Sequence, residues 1–216
     1  MIRKLLGPKL NIDWKIAVLT IVSTLLIMFD WYNIGFQYIR ESLWWFPNKG
    51  LERIFIYFIV PMLISLLIFR DDPRKNGFTL GDWKAGIVLT LLGILLIAPI
   101  LWLVSRGDGT MQSYYQDELS GLPWNTFIDL FGWEYIFRGW LLFGYARKFG
   151  PEAIWLQAVP FAIAHVTKPA VETFSTIFGG FAFGWVAWRT KSFLYPFLIH
   201  WFVSSFVILV AAGAIG

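Results

Sequence analysis

The 216-residue chain contains no cysteine, only two histidines and little charge: Asp, Glu, Lys and Arg make up 15% of it, against roughly 25% in an ordinary soluble domain. Without cysteine there are no disulfides, no thiolate metal ligands and no cysteine nucleophile. The shortage of charge excludes a water-soluble enzyme and a disordered tail, because too little polar surface remains to keep the chain in water. A total of 18 Lys and Arg against 14 Asp and Glu leaves a net charge of only +4, which excludes a nucleic-acid binder relying on a broad basic surface. What the chain does have is apolar and aromatic. Hydrophobic residues reach 57%, with 13 Trp, 21 Phe and 8 Tyr, and the mean hydropathy is +0.62. Such an aromatic content suits belts at two membrane interfaces.

Apolar segments of about 20 residues cross a roughly 30 Å hydrocarbon core as helices. Seven such runs lie between charged or Pro/Gly-rich breaks, at about 16 to 36, 54 to 69, 86 to 104, 124 to 146, 152 to 167, 171 to 188 and 193 to 213. The expected fold is therefore all-α, a polytopic transmembrane helical bundle of about seven spans, with six to eight allowed. The second and fifth runs are short. The first follows a basic start at Arg3, Lys4, Lys9 and Lys15, but no small-residue cleavage site follows Met28 and Phe29, so it reads as an uncleaved anchor. With the N-terminus in the cytoplasm, twelve basic residues fall inside and five outside (Arg40, Lys49, Arg53, Arg106 and Lys168), with Arg138 within a span. That asymmetry supports an N-in, C-out topology in the cell membrane. The stretch from 105 to 122 fits a short surface helix, and Arg70 to Gly81 reads as a turn-rich loop. No repeat or separate soluble domain is evident; one membrane domain covers 1–216, and its chemistry-bearing core is 124–213.

Ionisable groups inside a bilayer cost several kcal/mol unless paired or hydrated, so each is a candidate for function. In GWEYIFRGWLLFGY, Glu134 and Arg138 stand four residues apart on one helical face. They form either an acid/base pair or an ion pair that holds two helices together. Asp129 projects elsewhere and is expected to face water or cap a neighbouring helix. Both histidines, His165 and His200, fall in apolar runs. Imidazoles beside a carboxylate bind a divalent metal or pass protons to and from water, so Glu134, His165 and His200 are candidate metal ligands. The alternative is a metal-free water polarised by the same three groups. Glu172, seven residues after His165, is either a further ligand or base, or a carboxylate favoured by the N-terminal end of a helix. Ser204, one turn beyond His200, is a candidate oxyanion donor or an ordinary intrahelical hydroxyl. Gly180 and Gly184 form a GxxxG, which marks close helix packing.

The order and spacing of these segments resemble the CPBP family of intramembrane proteases, also called the Abi or CAAX prenyl protease type II family. Its EExxxR motif is matched by Trp133, Glu134 and Arg138, its FxxxH by Phe161 and His165, and its Hxxx(N/D) by His200 and Ser204. The resemblance covers 131 to 204. It implies an endopeptidase that activates water with Glu and His to hydrolyse a peptide bond of a membrane-associated or lipidated protein or peptide, with Zn2+, another divalent metal or no metal. Glu134 and Arg138 would supply the carboxylate and its partner, and His165 and His200 would polarise water or bind metal. Two positions depart from the pattern. Trp133 replaces the first Glu and Ser204 replaces the Asn or Asp, which leaves open a non-catalytic member of the fold that binds a membrane partner or peptide. Glu172 is a candidate for the missing carboxylate. A small proton-coupled transporter would also place Glu, Arg and His at mid-membrane depth, but no inverted halves support it. Convergence of the site requires the fifth or sixth segment to be tilted or re-entrant, because His165 and Glu172 sit toward the outer end of theirs.

Overall fold

In a computed structural model of the protein, residues 11–32 and 49–215 are described. The basic residues Arg3, Lys4, Lys9 and Arg40 used in the topology count lie outside them. Eight helices occur among the described residues, with no strand. They are α1 (Trp14–Tyr32), α2 (Lys49–Phe69), α3 (Trp83–Gly107), α4 (Gly109–Tyr115), α5 (124–149), α6 (Ala153–Ile163), α7 (Ala170–Thr190) and α8 (Leu194–Ala211). Five of them, α1, α2, α3, α7 and α8, are long and apolar enough to cross a membrane. The chain is an all-helical membrane bundle.

The helix boundaries follow from local chemistry. Asp82 caps α3 by accepting from the Ala85 N–H, and Asp108 closes it and caps α4 by accepting from the Thr110 and Met111 N–H groups. These caps satisfy backbone donors that a helix start leaves unpaired. Pro169 precedes the first turn of α7, where a missing N–H costs nothing. The surface helix expected between 105 and 122 is α4, and the turn-rich loop after α2 contains one short helical turn, Pro73–Asn76.

Helix α5 is the axis of the bundle. Every residue from 132 to 144 is buried, as expected of a helix surrounded by others. Helix α2 packs along its first half, α1 along its second, and α8 and the α6–α7 pair close the remaining sides. At Gly132 the α2 and α5 backbones come so close that a Cβ there would stand 2.5 Å from the Arg53 carbonyl oxygen. The GxxxG works as the sequence implied: a Cβ on Gly180 would lie 3.0 Å from the Ala158 Cβ, and Gln157 donates to the Gly180 carbonyl at 2.8 Å, seating α7 on α6. The fifth apolar run, expected over 152 to 167, is only an 11-residue helix followed by turns. It rises roughly 16 Å and ends with Ile163, which leaves His165 on a turn.

Candidate active site

Within α5 the α-helical pattern of Trp124–Glu134 changes to π-helix over Tyr135–Leu141. Such widened turns are frequent at functional sites, although α2 also contains two of them, Ile54–Ile59 and Ile64–Phe69. The change begins immediately after Glu134 and includes Arg138. Arg138 Nη1 donates to Glu134 Oε1 at 2.9 Å, and His200 Nδ1, arriving from α8, lies 2.6 Å from the same oxygen. Glu134 and Arg138 are 0% exposed, His165 4% and His200 8%. The Arg138 guanidinium also lies over the Phe161 ring, 3.8 Å from its centroid, a placement that stabilises a cation with few polar neighbours. Glu134 Oε2 and Arg138 Nε and Nη2 are buried with no hydrogen-bond partner. Unsatisfied buried polar atoms are uncommon and call for a ligand, a water or a reaction to explain them.

His165 approaches from the other side. Its Nδ1 lies 2.7 Å from the Phe161 carbonyl oxygen, and its ring contacts Phe161 and Trp133 at centroid distances of 4.5 and 5.7 Å. The His200 ring also lies against Phe161, at 5.8 Å. Each imidazole is thus anchored through Nδ1, His165 to a carbonyl and His200 to a carboxylate. With a proton on each Nδ1, both Nε2 atoms keep a lone pair. The short α6 is what allows His165, which sequence position alone placed toward an outer end, to turn inward to the others.

Glu172 goes elsewhere. Its carboxylate receives a hydrogen bond from Lys168 Nζ at 2.7 Å and from the Tyr115 hydroxyl at 2.6 Å, while Lys168 also donates to that hydroxyl at 2.9 Å. Burial alone would lower the Lys168 pKa, but Tyr115 and Glu172 outweigh it and hold the ammonium above its ordinary value. This cluster clamps α4 to the turn that carries His165, whose carbonyl accepts from Lys168 N–H at 2.9 Å and from the Thr173 hydroxyl at 2.6 Å. Glu172 is therefore a neighbour of the His165 turn and is committed to Lys168 and Tyr115. Ser204 is half-buried one turn along α8 from His200.

Asp129, expected to face water or cap a helix, instead pairs with Arg53 of α2 at 2.7 Å. Arg53 at the same time binds Asp30 of α1 at 3.0 Å, and the Tyr57 hydroxyl donates to Asp30 as well. The network joins three helices across sequence separations that no local pattern reveals. Its guanidinium lies 4.7 Å from the centre of a Trp133 ring. Trp133, also flanked by Tyr57 and Phe137, thus fills the space between the Arg53 network and His165, and its indole N–H is buried without a partner.

Among the described residues no group of three or more His, Asp or Glu side chains is placed to hold a metal ion. The Nδ1 atoms of His165 and His200 are both engaged with protein acceptors, which leaves Nε2 as the ring atom of each that is free to face a ligand.

Residues 116–206 match the family model Rce1-like, described as Type II CAAX prenyl endopeptidase. The match covers less than half of the chain, and the motif-bearing segment is similar to that family. The Rce1-like segment contains Trp133, Glu134, Arg138, Phe161, His165, His200 and Ser204, so the three sequence motifs and the convergent side chains lie within it; α1 to α4 precede it. No curated protein and no solved structure matches the chain.

Proposed function

We propose that the protein is an intramembrane endopeptidase that hydrolyses a peptide bond of a membrane-associated or lipidated protein. The observation that carries this reading is the 2.6 Å contact between Glu134 and His200 beside Arg138 and His165. A carboxylate bonded to Nδ1 fixes the tautomer of an imidazole and stabilises the cation it becomes on taking a proton. In the proposed reaction His200 Nε2 removes a proton from water while the water oxygen forms a bond to the substrate carbonyl carbon. His165 Nε2 accepts the second water hydrogen in a hydrogen bond and holds the nucleophile in place. The developing oxyanion takes hydrogen bonds from the free Arg138 N–H groups, with the Ser204 hydroxyl a further candidate. The C–N bond then breaks as the imidazolium returns its proton to the leaving nitrogen.

The test is cleavage of a panel of membrane-anchored and C-terminally lipidated peptides by detergent-purified protein, compared with His200→Ala and Glu134→Gln. Removing an essential base costs on the order of a hundredfold or more in rate. The expected result is cleavage that falls at least that far in both variants and is unchanged by added zinc or chelator. Loss of cleavage on chelation would instead place a divalent metal on Glu134, His165 and His200.

The packing of Trp133 favours a second reading, a non-catalytic member of the fold that binds a membrane partner or peptide. The indole occupies the position of the family's first Glu, and the site is closed around it. Under this reading the wild type cleaves nothing in the panel, and Trp133→Glu, which restores the paired carboxylates, gains cleavage.

A further inference from the structure

The basic end of the bundle, where α1 begins and α2, α5 and α7 finish, contains a cleft of about 610 Å³. The C-terminal part of α5 forms its floor through Phe143, Gly144 and Ala146. Helix α1 supplies one wall and the Trp188–Lys191 end of α7 the other. It lies far along α5 from Glu134 and shares no residue with the candidate active site.

The charges in this cleft are unevenly matched. Four cations line it, Lys15, Lys75, Arg147 and Lys191, against two carboxylates, Asp13 and Asp71. Both carboxylates are already committed. Asp13 accepts from the backbone N–H groups of Lys15 and Ile16, capping α1. Asp71 is shared between Lys15 and Arg147. Lys15 is fixed further by donating to the Phe69 carbonyl at 3.0 Å, and Arg147 by donating to Asn76 Oδ1 at 2.7 Å. These bonds build a rigid, charged back wall. Lys75 and Lys191, both exposed, meet no carboxylate among the described residues, and Lys191 is held over the Trp188 ring at 4.4 Å. Two unneutralised ammonium groups therefore stand at the rim of a cleft whose floor is apolar.

We propose that this cleft binds the headgroup of an anionic phospholipid. The phosphate would lie between Lys75 and Lys191, and the glycerol and upper acyl segment along Phe143, Ile16 and Trp188. A convex basic surface attracts any polyanion, but a basic cleft between transmembrane helices with an apolar floor selects an amphiphile whose charge and chains are adjacent. The charge count of the sequence places this end on the cytoplasmic side, where anionic headgroups are presented.

The experiment is native mass spectrometry of the full chain released from nanodiscs containing equal phosphatidylglycerol and phosphatidylcholine, with retained lipid counted on the wild type and on Lys75→Gln/Lys191→Asn. Asn is chosen because Lys191 has a φ of 60°, which Asn tolerates well. Arg106→Gln, at the opposite end of α3, is the control. The wild type is expected to retain phosphatidylglycerol in preference, and the double variant to lose that preference by roughly tenfold, with the control unchanged. Equal retention of the two lipids, or an equal loss in the control, would overturn the proposal. A further arm titrates inorganic phosphate. Displacement of the lipid at low millimolar phosphate would show a site for the free anion, in which the acyl chains contribute nothing, and would also overturn it. Unfolding midpoints within a degree of wild type are expected for both variants, since neither lysine is buried.

Discussion

At the scale of single residues, Arg138 is the group whose removal should be felt most. It is wholly buried and is bound to Glu134, which it shares with His200. Taking one partner from a buried ion pair leaves an uncompensated charge, at a cost of about 3 kcal/mol or more. Arg138→Met is therefore expected to lower the unfolding midpoint in detergent by several degrees, whereas Glu134→Gln/Arg138→Met, which removes both charges, recovers part of the loss. Lys168 behaves differently. Its pKa is raised in the folded protein, so its contribution is complete below the ordinary lysine value and disappears only as pH rises through the elevated one. The clamp with Tyr115 and Glu172 should accordingly show constant amide-exchange protection of the 164–173 segment across neutral pH and loosen only in strong alkali. Loosening between pH 6 and 8 would contradict the assignment.

Elements meet through positions where side chains are absent. Gly132 brings α5 against the α2 backbone, and the atom a new Cβ would strike is a carbonyl oxygen, which cannot rotate away. Gly132→Ala should separate the two helices, strain the Arg53–Asp129 pair and cost about 1–3 kcal/mol. Gly179 has nothing within 4 Å of the equivalent position. Gly179→Ala should be neutral or stabilising by about 0.5–1 kcal/mol, and thermal unfolding of the two variants makes the comparison. This scale also shows what the sequence could and could not reveal. Glu134, Arg138, His165 and His200 were legible because polar groups stand out in apolar runs, and a four-residue spacing places two of them on one face. The Lys168–Glu172 pair had the same spacing and was open to the same reading. The Asp30–Arg53–Asp129 network was not, because its members are 23 and 76 positions apart and no local spacing pairs them. Nor does any composition signal announce the π-helical turns after Glu134.

At the scale of the whole molecule, the bundle is built around α5, with the candidate active site near its middle and the basic cleft at its far end. The shortness of α6 has a consequence for the surrounding lipid. A helix that climbs roughly 16 Å and then breaks into turns places polar backbone at a depth where the hydrocarbon core, about 30 Å thick, still continues. Such backbone is tolerated only against protein or water; α4 covers the turn on one side through Tyr115, and on the side where Ile163 and Val166 are exposed the expected adjustment is a thinner bilayer beside α6. Thinning costs fractions of a kcal/mol per Å of mismatch, and the cost grows with acyl chain length. The fold is thus coupled to membrane thickness: reconstituted in a series of lipids from short to long chains, the protein should lose unfolding stability progressively as the bilayer thickens. A flat response would mean that lipid reaches the turn without deforming. If the dependence holds, the membrane in which the chain resides acts as one of its folding conditions, and that condition is applied at the turn that holds His165.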